Sequence, residues 1–237
     1  ARQIVPGALS REGQARLKGA AVLVSRVGGM GGPAAFALAM AGVGRIVLAH
    51  GGRLESPDLN RQALGSEQGV GRPRAEQFAE RLRSMNRFIE VEAIDHEPDD
   101  AEAAELARRV NLIVSAAPTF AERLRLNTAA VAAGVPLIDA AQWGMAGTLI
   151  VVDPGQTACL RCLYPVEPEF DEAFPVLGAI SMATGAMAAL EAVKIVSGTG
   201  IPMFGRMGLL DGFRGVWTQI ELQRNAACPC CGSPTEA

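Results

Sequence analysis

Five cysteines fall into two clusters whose spacing is typical of a metal site. Cys159 and Cys162 form one C-x-x-C element, and Cys228 and Cys231 form a second about 65 residues further on. Four thiolates can surround a zinc ion tetrahedrally, and a shell of this kind leaves no position open for a substrate. We therefore predict a structural zinc site in which Cys230 is a spare thiol that could replace Cys228 or Cys231 as a ligand. Disulfides and unrelated free thiols are the alternatives.

A glycine-rich turn is the second feature with a chemical meaning. The segment AVLVS at 21–25 has the pattern of a buried strand, and RVGGMGGP follows it at 26–33. Gly28, Gly29 and Gly31 would let backbone amides approach a ligand at the start of a helix, where the helix dipole favours an anion. The pattern predicts a ligand-facing loop; the plainer alternative is a tight strand-to-helix turn of any α/β protein.

Polar residues near this loop are further candidates for ligand contacts. Arg61 and Gln62 lie in DLNRQAL at 58–64, and Arg74 lies in the helical pattern RPRAEQFAERLRSMN. His50 ends the second predicted strand, at the edge of the sheet where ligands bind in folds of this class. A solvated surface position is the alternative for each arginine, and a packing or capping role is the alternative for His50.

Short apolar runs alternate with helical patterns along the first 158 residues. Strands are predicted at 21–25, 45–50, 89–95, 111–117, 136–144 and 146–153, and helices at 33–43, 72–86, 101–110 and 121–134. This β-α-β-α order predicts an α/β fold: a doubly wound, mainly parallel, Rossmann-like sheet with helices on both faces. Ligands of such a sheet bind at the carboxyl ends of its strands.

The pattern changes after the sixth predicted strand. The first cysteine pair is followed by an irregular crossover stretch at 164–177, one apolar helix at 178–197 and a closing strand at 215–222. We predict a nucleotide-binding core at 1–158. A C-terminal segment at 159–237 belongs to the same structural domain, and the zinc site ties it back to the middle of the chain.

Composition and charge argue against a disordered, nucleic-acid-binding, membrane-spanning or secreted protein. The 237 residues are 49% hydrophobic and 20% charged, which is the balance of a folded globular protein. A net charge of −3 gives no sign of a nucleic-acid-binding surface. Charged residues or glycines interrupt the long apolar runs before about 20 residues, so no membrane span is expected. The first residues lack the apolar core of a signal peptide, which favours a cytoplasmic location.

The ordered set of motifs resembles the MoeB/ThiF/HesA family, the bacterial relatives of ubiquitin-activating enzymes. The motifs that carry the resemblance are RQI at 2–4, AVLVSRVGGMGG, AGVGRIVL, DLNRQAL, GRPRAEQFAERLRSMN and the paired C-x-x-C elements. Together they extend from Arg2 to Gly232. Members of the family adenylate the C-terminal Gly-Gly of a ubiquitin-like or sulfur-carrier protein with Mg-ATP. The resemblance therefore implies this activity, ATP and magnesium as cofactors, and a partner of this kind.

The resemblance also implies roles for single residues. The glycine loop, Arg61 and Gln62 match the family's nucleotide site, in which this arginine contacts the phosphates. Arg74 takes the place of the phosphate-binding lysine, and Asp58 takes the place of an asparagine. Arg2 matches the arginine that a partner subunit sends across a two-fold interface into the neighbouring site. Arg61, Arg74 and Arg2 are thus the implied catalytic residues, and a homodimer is the implied assembly.

Other positions depart from the family's pattern. Arg26 replaces the first glycine of the loop, and His50 replaces the aspartate that binds the ribose hydroxyls; both are still candidate nucleotide contacts. Pro118 replaces the aspartate that positions magnesium, and a proline side chain cannot coordinate a metal ion. Glu122 or Asp139 could substitute as the metal ligand. We therefore expect adenylation with weakened or altered ATP and magnesium chemistry.

Two other functions fit the same departures. The chain could be a non-catalytic partner subunit that lends Arg2 to an intact family member. Alternatively, the old nucleotide cleft could serve another ligand or reaction, with His50 and Arg26 binding a smaller anion. A dinucleotide oxidoreductase has less support, because the loop lacks a full G-x-G-x-x-G and no acid ends the second strand.

Overall fold

The computed structural model describes residues 2–169 and 174–232, so part of the stretch predicted to be irregular, 170–173, lies outside the described residues. The strands are β1 (Ala21–Ser25), β2 (Arg45–Ala49), β3 (Glu90–Ile94), β4 (Leu112–Ser115), β5 (Leu137–Trp143), β6 (Ala146–Val152), β7 (Arg206–Asp211) and β8 (Val216–Glu221). The helices are α1 (Arg11–Gly19), α2 (Gly31–Ala41), α3 (Arg74–Met85), α4 (Asp100–Arg108), α5 (Phe120–Ala133), α6 (Leu160–Leu163) and α7 (Gly178–Ser197).

All eight strands belong to one sheet, in the order β3-β2-β1-β4-β5-β6-β7-β8. The first five strands of that order pair in parallel, and β6, β7 and β8 continue the sheet as antiparallel neighbours. The predicted α/β sheet is therefore confirmed. The chain leaves β1 for β2 on one side and later returns to β4 on the other, and ligands bind at such a switch point.

Helices cover both faces of the sheet, as a doubly wound fold requires. One apolar cluster lies under α2, α3 and α7 and includes Phe78 of α3 and Val24 of β1. The other lies under α4 and α5 and includes Leu124 of α5 and Leu23 of β1. Neighbouring residues of β1 thus enter opposite clusters, which explains why the central strands are apolar along their whole length.

The sequence pattern does not predict three of these elements: α1, the one-turn helix α6 and β7. In α1 only Gly13 and Leu17 are buried, so the helix lacks the repeating apolar stripe that would have indicated it. In β7 the apolar run is interrupted by Gly208, which usually weakens a strand pattern. A Cβ atom at Gly208 would lie 2.1 Å from the Trp217 ring of β8, so this glycine makes room for the tryptophan.

Helix α7 runs over the residues that the sequence predicted and ends at Gly198 in the left-handed conformation. In the described part of the chain it is the one helix long and apolar enough to cross a membrane. Within this fold it packs against α1, α2, β5 and β6, and Ala188 and Ala192 are fully buried. Its buried Glu191 accepts a hydrogen bond from the Met203 backbone N–H at 2.9 Å. The helix therefore serves as part of the core.

Candidate functional site

An open cleft of about 530 Å³ lies at the carboxyl ends of the parallel strands, next to the switch point. Six of the residues predicted to bind a ligand line it: Arg26, Gly28, Gly29, His50, Arg61 and Gln62. Gly31 lies behind the loop, at the first turn of α2. Arg74 also lies outside the cleft lining, although it contacts the same group of charges. The structure thus brings together residues from four separate segments of the sequence.

The glycine loop is packed too closely for side chains. A Cβ atom at Gly31 would lie 2.4 Å from the carbonyl oxygen of Arg26, a contact that only glycine avoids. At Gly29 a Cβ atom would lie 3.0 Å from Ser181 Oγ and 3.1 Å from Arg61 Cγ. Helix α2 begins directly behind this turn, and in its first turn Gly32 and Ala34 already donate their N–H groups to the carbonyls of Gly28 and Met30. The loop residues Gly29 and Met30 line the cleft, so their backbone N–H groups are the ones that can meet an anion there.

Arg26 occupies the first position of the loop in the left-handed conformation, with φ at 62°. This region favours glycine, so the arginine is held there at some cost in backbone strain. Its guanidinium forms ion pairs with Glu97 at 2.6 Å and with Glu122 at 2.9 Å. The Ser25 hydroxyl donates to Glu122, and the Gly51 backbone N–H donates to Glu97. The charge of Arg26 is therefore neutralised within the chain.

Asp58 pairs with two further arginines, whereas sequence comparison identified it only as a departure from the family's asparagine. Its carboxylate lies 3.2 Å from the Arg61 guanidinium and 2.5 Å from that of Arg74. It also accepts the Glu55 backbone N–H at 3.0 Å and so caps the short 3-10 helix Ser56–Asn60. Burial opposes its ionisation, but the hydrogen bonds from Arg74 and Glu55 and the neighbouring arginine charges keep the pKa of Asp58 below its usual value.

A third arginine of the cleft is paired even more deeply. Arg123 of α5 donates hydrogen bonds to both carboxylate oxygens of Asp139 of β5, at 3.0 Å from Nε and 2.5 Å from Nη2. Both side chains are buried. Its guanidinium also stacks over the Phe120 ring, 4.6 Å from the centroid. Asp139 and Glu122, the two acids predicted as substitute metal ligands, are therefore each occupied by an arginine.

Two polar atoms beside the loop have no hydrogen-bond partner among the described residues. They are Nδ1 of His50 and Oε1 of Gln62, and both are buried. Gly28 lies between these side chains, because a Cβ atom there would be 3.5 Å from His50 and 3.7 Å from Gln62. Burial, reinforced by the cations of Arg26 and Arg74, lowers the pKa of His50 to about 3. The imidazole is thus neutral at physiological pH and can bind a polar ligand atom.

Part of the cleft lining is aromatic and consists of Phe120, Trp143, Tyr164 and Phe174, called the aromatic wall below. Trp143 stacks on Phe174 with ring centroids 6.3 Å apart, and Phe120 meets Tyr164 edge to face at 4.9 Å. Glu169 on this wall is exposed. Sequence analysis did not identify these residues, because they lie in three segments without a shared motif and are brought together by the fold. The wall offers flat apolar surfaces on which a planar ligand group can stack.

The predicted cysteine cluster is present on the face of the sheet that α4 and α5 cover. The four sulfur atoms lie within 4.8 Å of one another, in the set Cys159, Cys162, Cys228 and Cys231. In a tetrahedral site with zinc–sulfur bonds of about 2.3 Å, the sulfurs are about 3.8 Å apart. The Cys159–Cys228 and Cys162–Cys231 pairs, at 3.8 Å and 3.4 Å, fit this arrangement. Cys230 stands outside the set and accepts a hydrogen bond from buried Asn127 at 3.3 Å.

The N-terminal segment is anchored at one residue. The Gln3 side chain donates to Gln14 Oε1 at 2.6 Å and to the Ala41 carbonyl at 2.7 Å, at the end of α2. Arg2 precedes it in the short helix Arg2–Ile4 and is exposed, outside the cleft of its own chain. This position leaves the Arg2 side chain available to another subunit, so its predicted role stays a prediction.

Comparison with known proteins finds relatives along nearly the whole chain. The model described as "ThiF family" matches residues 1–230. The vegetative HesA protein of Trichormus variabilis is 40% identical over 238 residues, which cover 99% of this chain and 89% of the relative. The sulfur carrier protein ThiS adenylyltransferase of Escherichia coli K12 is 34% identical over 98% of this chain and 93% of that protein.

A solved structure shows the same fold. The crystal structure of Escherichia coli MccB with ATP superimposes with a TM-score of 0.83 at 23% identity, over 93% of this chain and 69% of that one. At this level of identity the likeness concerns the fold, and it confirms the Rossmann-like architecture.

Proposed function

This chain belongs to the ThiF family, and on that premise we propose that it activates the C-terminal carboxylate of a small ubiquitin-like or sulfur-carrier protein by ATP-dependent adenylation. A carboxylate oxygen of the carrier attacks the α-phosphorus of ATP. The bond from this phosphorus to the oxygen bridging the β-phosphorus breaks, so pyrophosphate leaves and an acyl-adenylate remains. We propose further that this chain performs the reaction with weakened ATP and magnesium chemistry.

The observation that carries the proposal is the arrangement of the glycine loop, the start of α2 and Arg61 around one open cleft. Backbone N–H groups and a guanidinium can together stabilise the negative charge that shifts toward pyrophosphate as it leaves. The aromatic wall with Trp143 and Tyr164 offers stacking surface for a planar base. Unpaired His50 Nδ1 and Gln62 Oε1 can bind polar groups of the nucleotide.

Among the described residues, Glu122 and Asp139 beside the cleft do not fit a magnesium site as they stand, and Glu169 is exposed on the cleft wall. In other nucleotide-binding enzymes this ion neutralises phosphate charge. Here Glu122 and Asp139 are engaged by arginines, and Pro118 lines the cleft without an oxygen ligand on its side chain. We therefore assign charge neutralisation to Arg61 and the backbone N–H groups, and we expect a slow reaction.

Exchange of labelled pyrophosphate into ATP tests the proposal. With a carrier protein ending in Gly-Gly, we expect exchange that is about 100-fold or more slower than that of the Escherichia coli ThiS adenylyltransferase measured alongside. Arg61→Ala should reduce the rate to background, whereas Arg72→Ala should not change it, because Arg72 pairs with Glu80 on the exposed surface. Wild-type protein that gives no exchange above background would rule the activity out.

A non-catalytic role beside an intact family member is the second candidate function. It is favoured by the pairing of Arg26, Arg61 and Arg74 with carboxylates of the chain, while Arg2 is exposed. In that case the present chain gives no exchange alone but accelerates an intact member from the same organism. Arg2→Ala would remove the acceleration, and an unchanged rate in the mixture would exclude this role.

Either assembly needs an interface, and we propose the exposed apolar face of α2 and α7. The large side chains on this face are Phe36, Met40, Met182 and Leu190, which are 41–50% exposed. The two helices pack against each other, so their exposed residues can form one contiguous patch. A homodimer through this face is our preferred assembly, and sedimentation equilibrium distinguishes it from a monomer that pairs only with an intact member.

A further inference from the structure

Asp58 engages two arginines, of which Arg61 lines the cleft and Arg74 lies outside its lining. Its side chain is 8% exposed and contacts both Arg61 and Arg74. Arg61 lines the cleft, and its other hydrogen bonds go to the Pro57 carbonyl at 3.2 Å and to Asn60 Oδ1 at 2.9 Å. Its guanidinium is thus turned toward its own short helix, so it must leave Asp58 before it can contact a phosphate.

The carboxylate of Asp58 is fixed in this position. The Glu55 backbone N–H holds one oxygen, and Arg74, with its side chain 15% exposed, holds the same oxygen from the other side. Arg74 is itself tied to the Gly51 carbonyl at 3.2 Å. A buried, hydrogen-bonded carboxylate of this kind competes with an anion in the cleft for the Arg61 guanidinium more strongly than a mobile surface carboxylate does.

We propose that Asp58 determines the anion specificity of the cleft by competing with the phosphates of a ligand for Arg61, while Arg74 holds the Asp58 carboxylate in place. A triphosphate depends on this cation to balance its charge more than a ligand with one phosphate does. The competition therefore lowers the affinity for polyphosphates more than that for monophosphates. The inference deepens the proposed function, on which it rests for the choice of a phosphate ligand.

Asp58→Asn tests the competition with little change of shape. The asparagine side chain keeps an oxygen that can accept the Glu55 N–H, but it no longer carries the charge that holds the two arginines. We expect the affinity for inorganic tripolyphosphate, measured by calorimetry, to rise about tenfold or more, the effect of one charge-assisted hydrogen bond. The affinity for inorganic phosphate should rise by less than about threefold.

A matched control separates competition from a general change in charge. Asp100→Asn alters the net charge by the same amount at an exposed pair with Arg125, on the first turn of α4. It should leave tripolyphosphate binding unchanged. Adding Arg61→Ala to Asp58→Asn should remove the gain. A purely structural role of Asp58 predicts lower stability in urea and no gain in affinity, and that result, or an equal gain in the control, would overturn the proposal.

The binding experiment can be interpreted even if Asp58→Asn does not fold or the protein has no adenylation activity. If Asp58→Asn does not fold, Asp58→Ser supplies a hydroxyl that can accept the Glu55 N–H, and the same gain in tripolyphosphate affinity is expected. The titration needs neither carrier protein nor ATP. A gain without pyrophosphate exchange would support Asp58 as the competitor and reject adenylation, whereas exchange without a gain would support adenylation and reject the competitor.

Discussion

We expect Cys159→Ser to purify without bound zinc and to have a free energy of unfolding about 5 kcal/mol lower than that of the wild-type protein. The four sulfurs of the cluster join α6 to the segment after β8, across more than sixty residues of chain. A structural zinc ion contributes its binding energy directly to folding, because the unfolded chain has no preformed site. Elemental analysis gives the zinc content, and urea unfolding gives the stability.

Cys230→Ser is the matched control for this result. Cys230 lies beside the cluster, but the set of four sulfurs does not include it, and its sulfur accepts a hydrogen bond from Asn127. We expect one zinc ion per chain in this variant and a loss of stability of less than about 1 kcal/mol. Retention of zinc by Cys159→Ser, or equal loss of zinc from the two variants, would show that the ligand set is wrong.

Asp139→Ala should lower the free energy of unfolding by about 3–5 kcal/mol, because it leaves the buried Arg123 guanidinium without its partner. The Asp139 side chain is 0% exposed and that of Arg123 is 6% exposed. They form a hydrogen-bonded ion pair, and Arg123 lines the cleft. In the wild-type protein the Asp139 carboxylate raises the pKa of Arg123 against the effect of burial. An arginine stays protonated in proteins, so in the variant a buried charge is left without a partner.

An exposed pair provides the comparison for this second result. Arg72 and Glu80 also form an ion pair, at 2.7 Å, but both side chains are about half exposed. Glu80→Ala should therefore change stability by less than about 1 kcal/mol. Urea unfolding of Asp139→Ala and Glu80→Ala measures the two losses of unfolding free energy. Similar losses in the two variants would mean that the buried pair contributes no more than a surface pair.

Local sequence signals were sufficient for much of the fold. Apart from β7, the strands are recognisable from short runs of apolar residues, and α7 from a long apolar segment that ends at Gly198. The cysteine cluster was recognisable because C-x-x-C spacing places two sulfurs on one tight turn. Each of these signals lies within a short window of sequence, so the rest of the fold was not needed to interpret it.

The charge pairing of the cleft could not be predicted in the same way. Asp58 meets Arg61 three residues later, but its contact with Arg74 spans sixteen residues and depends on how α3 begins beside β2. Arg26 meets Glu122 from a different strand–helix unit. Residue types showed that cations were present at these positions, and only the folded arrangement showed that carboxylates had already neutralised them.

The most direct test of a nucleotide site at the glycine loop is a calorimetric titration of wild-type protein and Arg61→Ala with ATP, with and without magnesium. We expect the wild-type protein to bind one ATP weakly and Arg61→Ala to give no measurable heat. Magnesium should change the affinity by less than about threefold, because Glu122 and Asp139 are held by arginines. No binding to the wild-type protein, or an affinity that magnesium raises by more than about tenfold, would contradict a cleft that holds ATP through arginine and backbone N–H groups.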